Sequence, residues 1–138
     1  PICNLQSQET SNPCSISQHA AVAALTGPQD CVAEMRRAFE RRRDIVARGL
    51  AAMPGVRIPD IGGAFYAFFD IRRPLERLAA SGVATSMQWC ERLLEKQHVA
   101  LVAGSAFGAE GFVRMSFAAS EDKLVAGLER IAAALETA

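Results

Sequence analysis

Lysine is almost missing from these 138 residues; it stands only at Lys96 and Lys123. Both fall in segments that read as exposed helix. Neither therefore has the buried setting that lowers an amine pKa and makes it a Schiff-base nucleophile. Histidine is as scarce, with His19 and His98 and no serine or cysteine partner at a recognisable spacing. The four cysteines, Cys3, Cys14, Cys31 and Cys90, match neither a CxxC nor a zinc pattern. They predict reduced thiols in a cytoplasmic setting and no metal site. A GxGxxG or P-loop run is also lacking, so Gly62-Gly63 reads as a turn. Apolar runs stay far short of a membrane span, which predicts no membrane partner. Fifteen basic residues cancel fifteen acidic ones. A zero net charge argues against a nucleic-acid binder, which needs a basic surplus to neutralise phosphates. On these residues alone the chain is not a self-sufficient enzyme.

What is present is a globular composition, half hydrophobic and 22% charged. Residues 1–11 read as polar and irregular. Asn12 or Ser11 caps a helix that starts at Pro13 and runs through Leu25, with Gly27 closing it in a left-handed conformation. A long helix is expected from Pro28 to Met53, its apolar residues at Val32, Met35, Phe39, Val46, Leu50 and Met53 in a 3.6-residue rhythm. Val56 to Ile58 and Ala64 to Phe69 read as strands, with Tyr66 as a core residue whose hydroxyl is hydrogen-bonded. Residues 71–80 are ambiguous between helix and loop. A helix over Ser86 to Lys96, a buried strand over Val99 to Val102, a strand over Phe112 to Phe117 and a last helix capped by Ser120 complete the chain. The expected class is α+β: a small mixed sheet with flanking helices, in the order α-α-β-β-α-β-β-α.

Arg114 is the residue with the clearest chemistry. Strand alternation places Phe112, Arg114 and Ser116 on one face and Val113, Met115 and Phe117 on the other. A guanidinium there needs water or an anion, and its planar fork suits a carboxylate held by two hydrogen bonds. Residues 104–108 are placed to shape the rim of such a site. An edge arginine in solvent or in an internal ion pair explains the pattern equally well. The arginines at 36, 37, 41, 42, 43 and 48 are interleaved with Glu34, Glu40 and Asp44 at helical pairing distances. That reads as a self-paired helix face.

Several segments resemble, in order, the C-terminal part of class I aminotransferases such as aspartate aminotransferase. Leu5-Gln6-Ser7-Gln8 and Thr10-Ser11-Asn12-Pro13 are similar to the segment shortly after the family's cofactor lysine. Ala24-Leu25-Thr26-Gly27 follows. Phe39-Glu40-Arg41-Arg42-Arg43-Asp44 resembles the F-x-x-R-R-D signature, and Pro54-Gly55-Val56 with Gly63-Ala64-Phe65-Tyr66 a PGV…GAFY passage. Gly104-Ser105-Ala106-Phe107-Gly108 and Arg114-Met115-Ser116-Phe117-Ala118 resemble the G-x-x-F-G…R-x-S-x-A ending.

The resemblance implies a homodimeric fold-type-I enzyme that uses pyridoxal phosphate to move an amino group between an amino acid and a 2-oxo acid. It puts Arg114 on the arginine that grips the substrate α-carboxylate, Phe107 and Gly108 on the loop beside it, and Gln8, Thr10, Ser11 and Asn12 near the partner subunit. It assigns residues 1–27 to the end of the large domain and its dimer contact, and 28–138 to the small domain. The family's catalytic lysine and its cofactor-holding residues have no counterpart in this sequence. The chain is therefore expected to be a piece of a longer enzyme and inactive alone. The residue that would separate aspartate from aromatic, alanine or prephenate donors also lies outside it. The alternative is a ligand-sensing aminotransferase-like domain of a transcription regulator.

Overall fold

The computed structural model describes residues 2–10 and 12–136. They divide into two compact units, Pro1–Met35 and Arg36–Ala138. In the first unit, helix α1 covers Ile2–Glu9 and α2 covers Ser15–Thr26. The expectation of an irregular start is overturned: Leu5, Gln6, Gln8 and Glu9 are good helix formers, and Thr10 donates its amide to the Gln6 carbonyl at 2.9 Å. Gly27 is extended rather than left-handed, at φ −75° and ψ −178°. Pro28 is the reason, because a residue before proline is pushed to extended backbone. Ser11, one of the candidate caps, lies outside the described residues.

Helix α3 spans Asp30–Ala51. It stops short of Pro54, whose missing donor and ring cannot continue a helix. In the second unit, Val46 and Leu50 of α3 are fully buried.

The sheet has three strands in the order β1-β3-β2, with β1 at Tyr66–Asp70, β2 at Val102–Ala103 and β3 at Phe112–Ser116. It is antiparallel throughout, not mixed. Two expected strands shrink. At 56–58 only the pair Arg57–Asp70 forms, with amide-to-carbonyl distances of 3.0 and 2.8 Å. Pro59 follows closely and has no donor with which to extend the ladder. At 99–102 pairing begins only at Val102, because the chain is still leaving the preceding helix. There His98 is left-handed (φ 55°) and Val99 donates back to the Leu93 carbonyl at 3.3 Å.

The ambiguous stretch is helix α4 (Arg72–Leu78), followed by a 3₁₀ turn over Ala79–Ser81. Helix α5 (Ser86–Gln97) starts on a capping box: the Thr85 hydroxyl accepts the Gln88 amide, and the Gln88 side chain accepts the Thr85 amide, both at 3.2 Å. Helix α6 covers Glu121–Glu136. Ala67 and Phe69 of β1 and Val113 and Met115 of β3 share one core with Trp89 and Leu93 of α5 and Leu124 and Ile131 of α6. Helices thus cover one face of the sheet, and the alternate residues of β1 and β3 form its outer face.

Candidate functional site

The outer face of the sheet carries Tyr66 and Phe68 from β1, Phe112, Arg114 and Ser116 from β3, and Val102 from β2. Arg114 sits on the middle strand, opposite Phe68 on one side and Val102 on the other. Its backbone is therefore held by ladders on both edges, and its side chain leaves a rigid base. It is half-buried, as the alternation predicts. Its surroundings are aromatic. The guanidinium carbon lies over the Phe107 ring at 4.6 Å from the centroid and over the Tyr66 ring at 5.3 Å. Among the described residues no carboxylate lies within ion-pair distance of Arg114, and none accepts a hydrogen bond from it.

Arg72, on the same side of the molecule, shows the opposite arrangement. Its guanidinium lies over Phe112 at 5.3 Å, but its donors are taken by Asp70 at 3.0 and 2.7 Å. That fork holds the Asp70 carboxyl below the usual carboxylate range, against the opposing cost of burial. Arg72 is spent on the fold, whereas Arg114 keeps its donors.

Phe107 and Gly108 are brought to the site by a 3₁₀ turn over Gly104–Phe107. Gly104 is buried in it, and a Cβ there would run into the carbonyl oxygens of Ala109 and Phe112. Gly108 is left-handed (φ 71°) and donates to the Ser105 carbonyl at 3.1 Å, which closes the turn and sends the chain into β3. Ser116 accepts the Ala118 amide at 3.2 Å and is occupied by backbone.

Sequence reasoning missed Tyr66. It was expected in the core with a satisfied hydroxyl. It is 39% exposed, on the outer face, and its ring meets Arg114. Once the structure shows Ala67 and Phe69 fully buried, strand parity puts Tyr66 and Phe68 on the outer face.

Gln8, Thr10 and Asn12 are exposed in residues 1–35, and Ser11 is outside the described residues. Two of the expected α3 pairs form, Arg36 with Glu40 at 3.2 Å and Arg43 with Glu40 at 4.0 Å. Arg43 also pairs with Asp44 at 2.7 Å and Arg41 with Glu121 at 3.3 Å, while the buried Arg42 Nε has no hydrogen-bond partner among the described residues. A cleft of about 300 Å³ lies beside them, lined by Arg36, Phe39, Gly62, Gly63 and Phe117 among others. Arg114 does not line it. Among the described residues no group of three histidine, cysteine or acidic side chains is placed to hold a metal ion. No described helix is long and apolar enough to cross a membrane.

The family model for class I and II aminotransferases matches residues 3–131. The chain belongs to this family. An aspartate aminotransferase of Rhizobium meliloti (strain 1021) is 50% identical over 136 residues, which are 96% of this chain and 33% of that protein. The crystal structure of an aspartate aminotransferase from Rhizobium meliloti superposes with a TM-score of 0.78 at 44% identity, covering 96% of this chain and 34% of that one. The aspartate aminotransferase of Thermus thermophilus, solved with maleate, gives 0.76 at 37% identity, covering 95% of this chain and 32% of that one. The chain thus spans about a third of the length of the relatives it matches.

Family members such as aspartate aminotransferase depend on pyridoxal phosphate, and the residues present here do not form its site. Lys96 and Lys123, the two amines that could bond its aldehyde, lie exposed on α5 and α6. Neither lies on the outer sheet face with Arg114.

Proposed function

We propose that this chain supplies the carboxylate grip of a pyridoxal-phosphate-dependent aminotransferase that exchanges an amino group between an amino acid and a 2-oxo acid. The observation that carries the reading is Arg114: a rigidly based, half-buried guanidinium with no acidic partner among the described residues. Such a group is an anion site waiting for its anion. A planar fork matches a carboxylate, and both partners in an amino-group exchange carry one on the α-carbon. The Thermus thermophilus relative with maleate supports a carboxylate-binding family site. Phe107 and Gly108 form the rim.

The rest of the protein would hold the cofactor and the proton-moving lysine. No step that runs through the cofactor is assigned to these residues. In this reading 28–138 is the small domain. Residues 1–27 close the large domain, where Gln8, Thr10, Ser11 and Asn12 approach the second subunit of a homodimer. Exposed unpaired thiols at Cys3, Cys14 and Cys31 suit a cytoplasmic, reducing setting. The relatives named above are aminotransferases, which leaves the regulator alternative without support.

The test compares two samples. The full-length protein with pyridoxal phosphate is expected to exchange amino groups between amino and 2-oxo acids. The 138-residue chain is expected to show no turnover, and borohydride treatment with the cofactor should leave no adduct on Lys96 or Lys123. An inactive full-length holoenzyme, or turnover by the chain alone with a trapped lysine adduct, contradicts the reading.

A further inference from the structure

If Arg114 binds the substrate carboxylate, something must hold it in position before the substrate arrives. Arginines are usually fixed by a carboxylate, as Asp70 fixes Arg72 here. That solution would consume the donors the site needs. Arg114 is held differently. Tyr66, the first residue of β1, and Phe107, the last residue of the 3₁₀ turn, both present ring faces to its guanidinium carbon, at 5.3 and 4.6 Å. Both distances are within the range of cation–π attraction.

The rings are themselves braced. Phe68 meets Phe107 edge-on at 6.0 Å and stacks on Phe112 at 5.3 Å, while Phe65 meets Tyr66 edge-on at 5.4 Å. Packing alone does not account for these two rings, since Phe107 is 51% and Tyr66 39% exposed. A ring face attracts the cation through its quadrupole and accepts none of the N–H groups along the guanidinium edge.

We propose that Tyr66 and Phe107 are positioning residues: a two-ring clamp that fixes the guanidinium of Arg114 while leaving its donor edge free for a substrate carboxylate. The proposal rests on the carboxylate-binding reading of Arg114. Fixing the side chain in advance removes part of the ordering cost that a substrate would otherwise meet on binding. The ring of Tyr66 matters here, not its hydroxyl.

The test uses the full-length holoenzyme. Phe107→Leu and Tyr66→Leu remove a ring face, and each is expected to lower kcat/KM about tenfold, mainly through KM, for amino and 2-oxo acids alike. Phe107→Tyr and Tyr66→Phe keep the face and should stay within about twofold of wild type. Cofactor absorbance and Tm should not move. Fluorinated phenylalanines at 107 preserve the shape but drain the ring face, so KM should climb with each added fluorine. This series keeps the question answerable if a leucine variant folds poorly. In an Arg114→Ala background, Phe107→Leu should cost nothing further.

Leucine variants within twofold of wild type, no trend with fluorination, or an undiminished loss in the Arg114→Ala background would each overturn the clamp. Silent clamp variants beside a crippled Arg114→Ala enzyme would remove the clamp and leave the carboxylate reading standing. A near wild-type Arg114→Ala enzyme would remove both.

Discussion

At the scale of single residues, the site depends on a glycine that never touches it. Gly104 starts the turn that delivers Phe107, and it is enclosed by the carbonyls of Ala109 and Phe112, which are backbone and cannot swing away. Gly104→Ala is expected to destabilise the fold by about 1–3 kcal/mol, the usual cost of forcing a methyl into a filled space. Urea unfolding measures this; an unchanged midpoint would show that the turn yields freely. Arg114 was legible because a period of two through Val113, Met115 and Phe117 assigns the face unambiguously. Tyr66 was not, because residues 64–69 are apolar at every position. Alternation needs polar residues on one side before it can tell inside from outside. The outer position of Tyr66 and Phe68 stayed hidden for that reason.

At the scale of elements, helix α5 shows how a loop residue tunes a helix start. Glu110 reaches across to accept the Ser86 amide at 2.6 Å, beside the Thr85 capping box. That hydrogen bond from the Ser86 amide is the main reason the Glu110 carboxyl lies below the ordinary glutamate range. A carboxylate whose native pKa is lowered stabilises the fold fully above its unfolded pKa. The contribution is lost as pH falls through the lowered native value. Glu110→Gln should therefore narrow the stability gap between neutral and acidic pH. Thermal melts across that range check it, and parallel curves for wild type and variant would exclude the contribution. The sequence located α5 through Met87, Cys90, Leu93 and Leu94 on one side, not through its Thr85 cap. It overextended the strands around 57 and 102 because their extents are decided by Pro59 and by the left-handed His98, local events that a propensity window averages away.

At the scale of the whole molecule, helix α2 has no buried residue, and Ile16, Val22 and Leu25 are 77%, 59% and 80% exposed. Bare apolar helix surface rarely stays uncovered in solution. The 138-residue chain is expected to self-associate, seen as concentration-dependent sedimentation; a monomer at every concentration would contradict this. The same reading makes the chain one working part of a larger catalyst, contributing recognition rather than chemistry. Arg114 is the residue on which that reading turns, and one measurement tests it most directly: kcat/KM of Arg114→Lys in the full-length holoenzyme, for an amino acid and for a 2-oxo acid. Lysine keeps the charge but loses the planar fork. Losing the charge-assisted pair of hydrogen bonds should cost about 2–5 kcal/mol in both directions of the exchange, with cofactor absorbance unchanged. A lysine variant with near wild-type kcat/KM for both substrates would contradict the account.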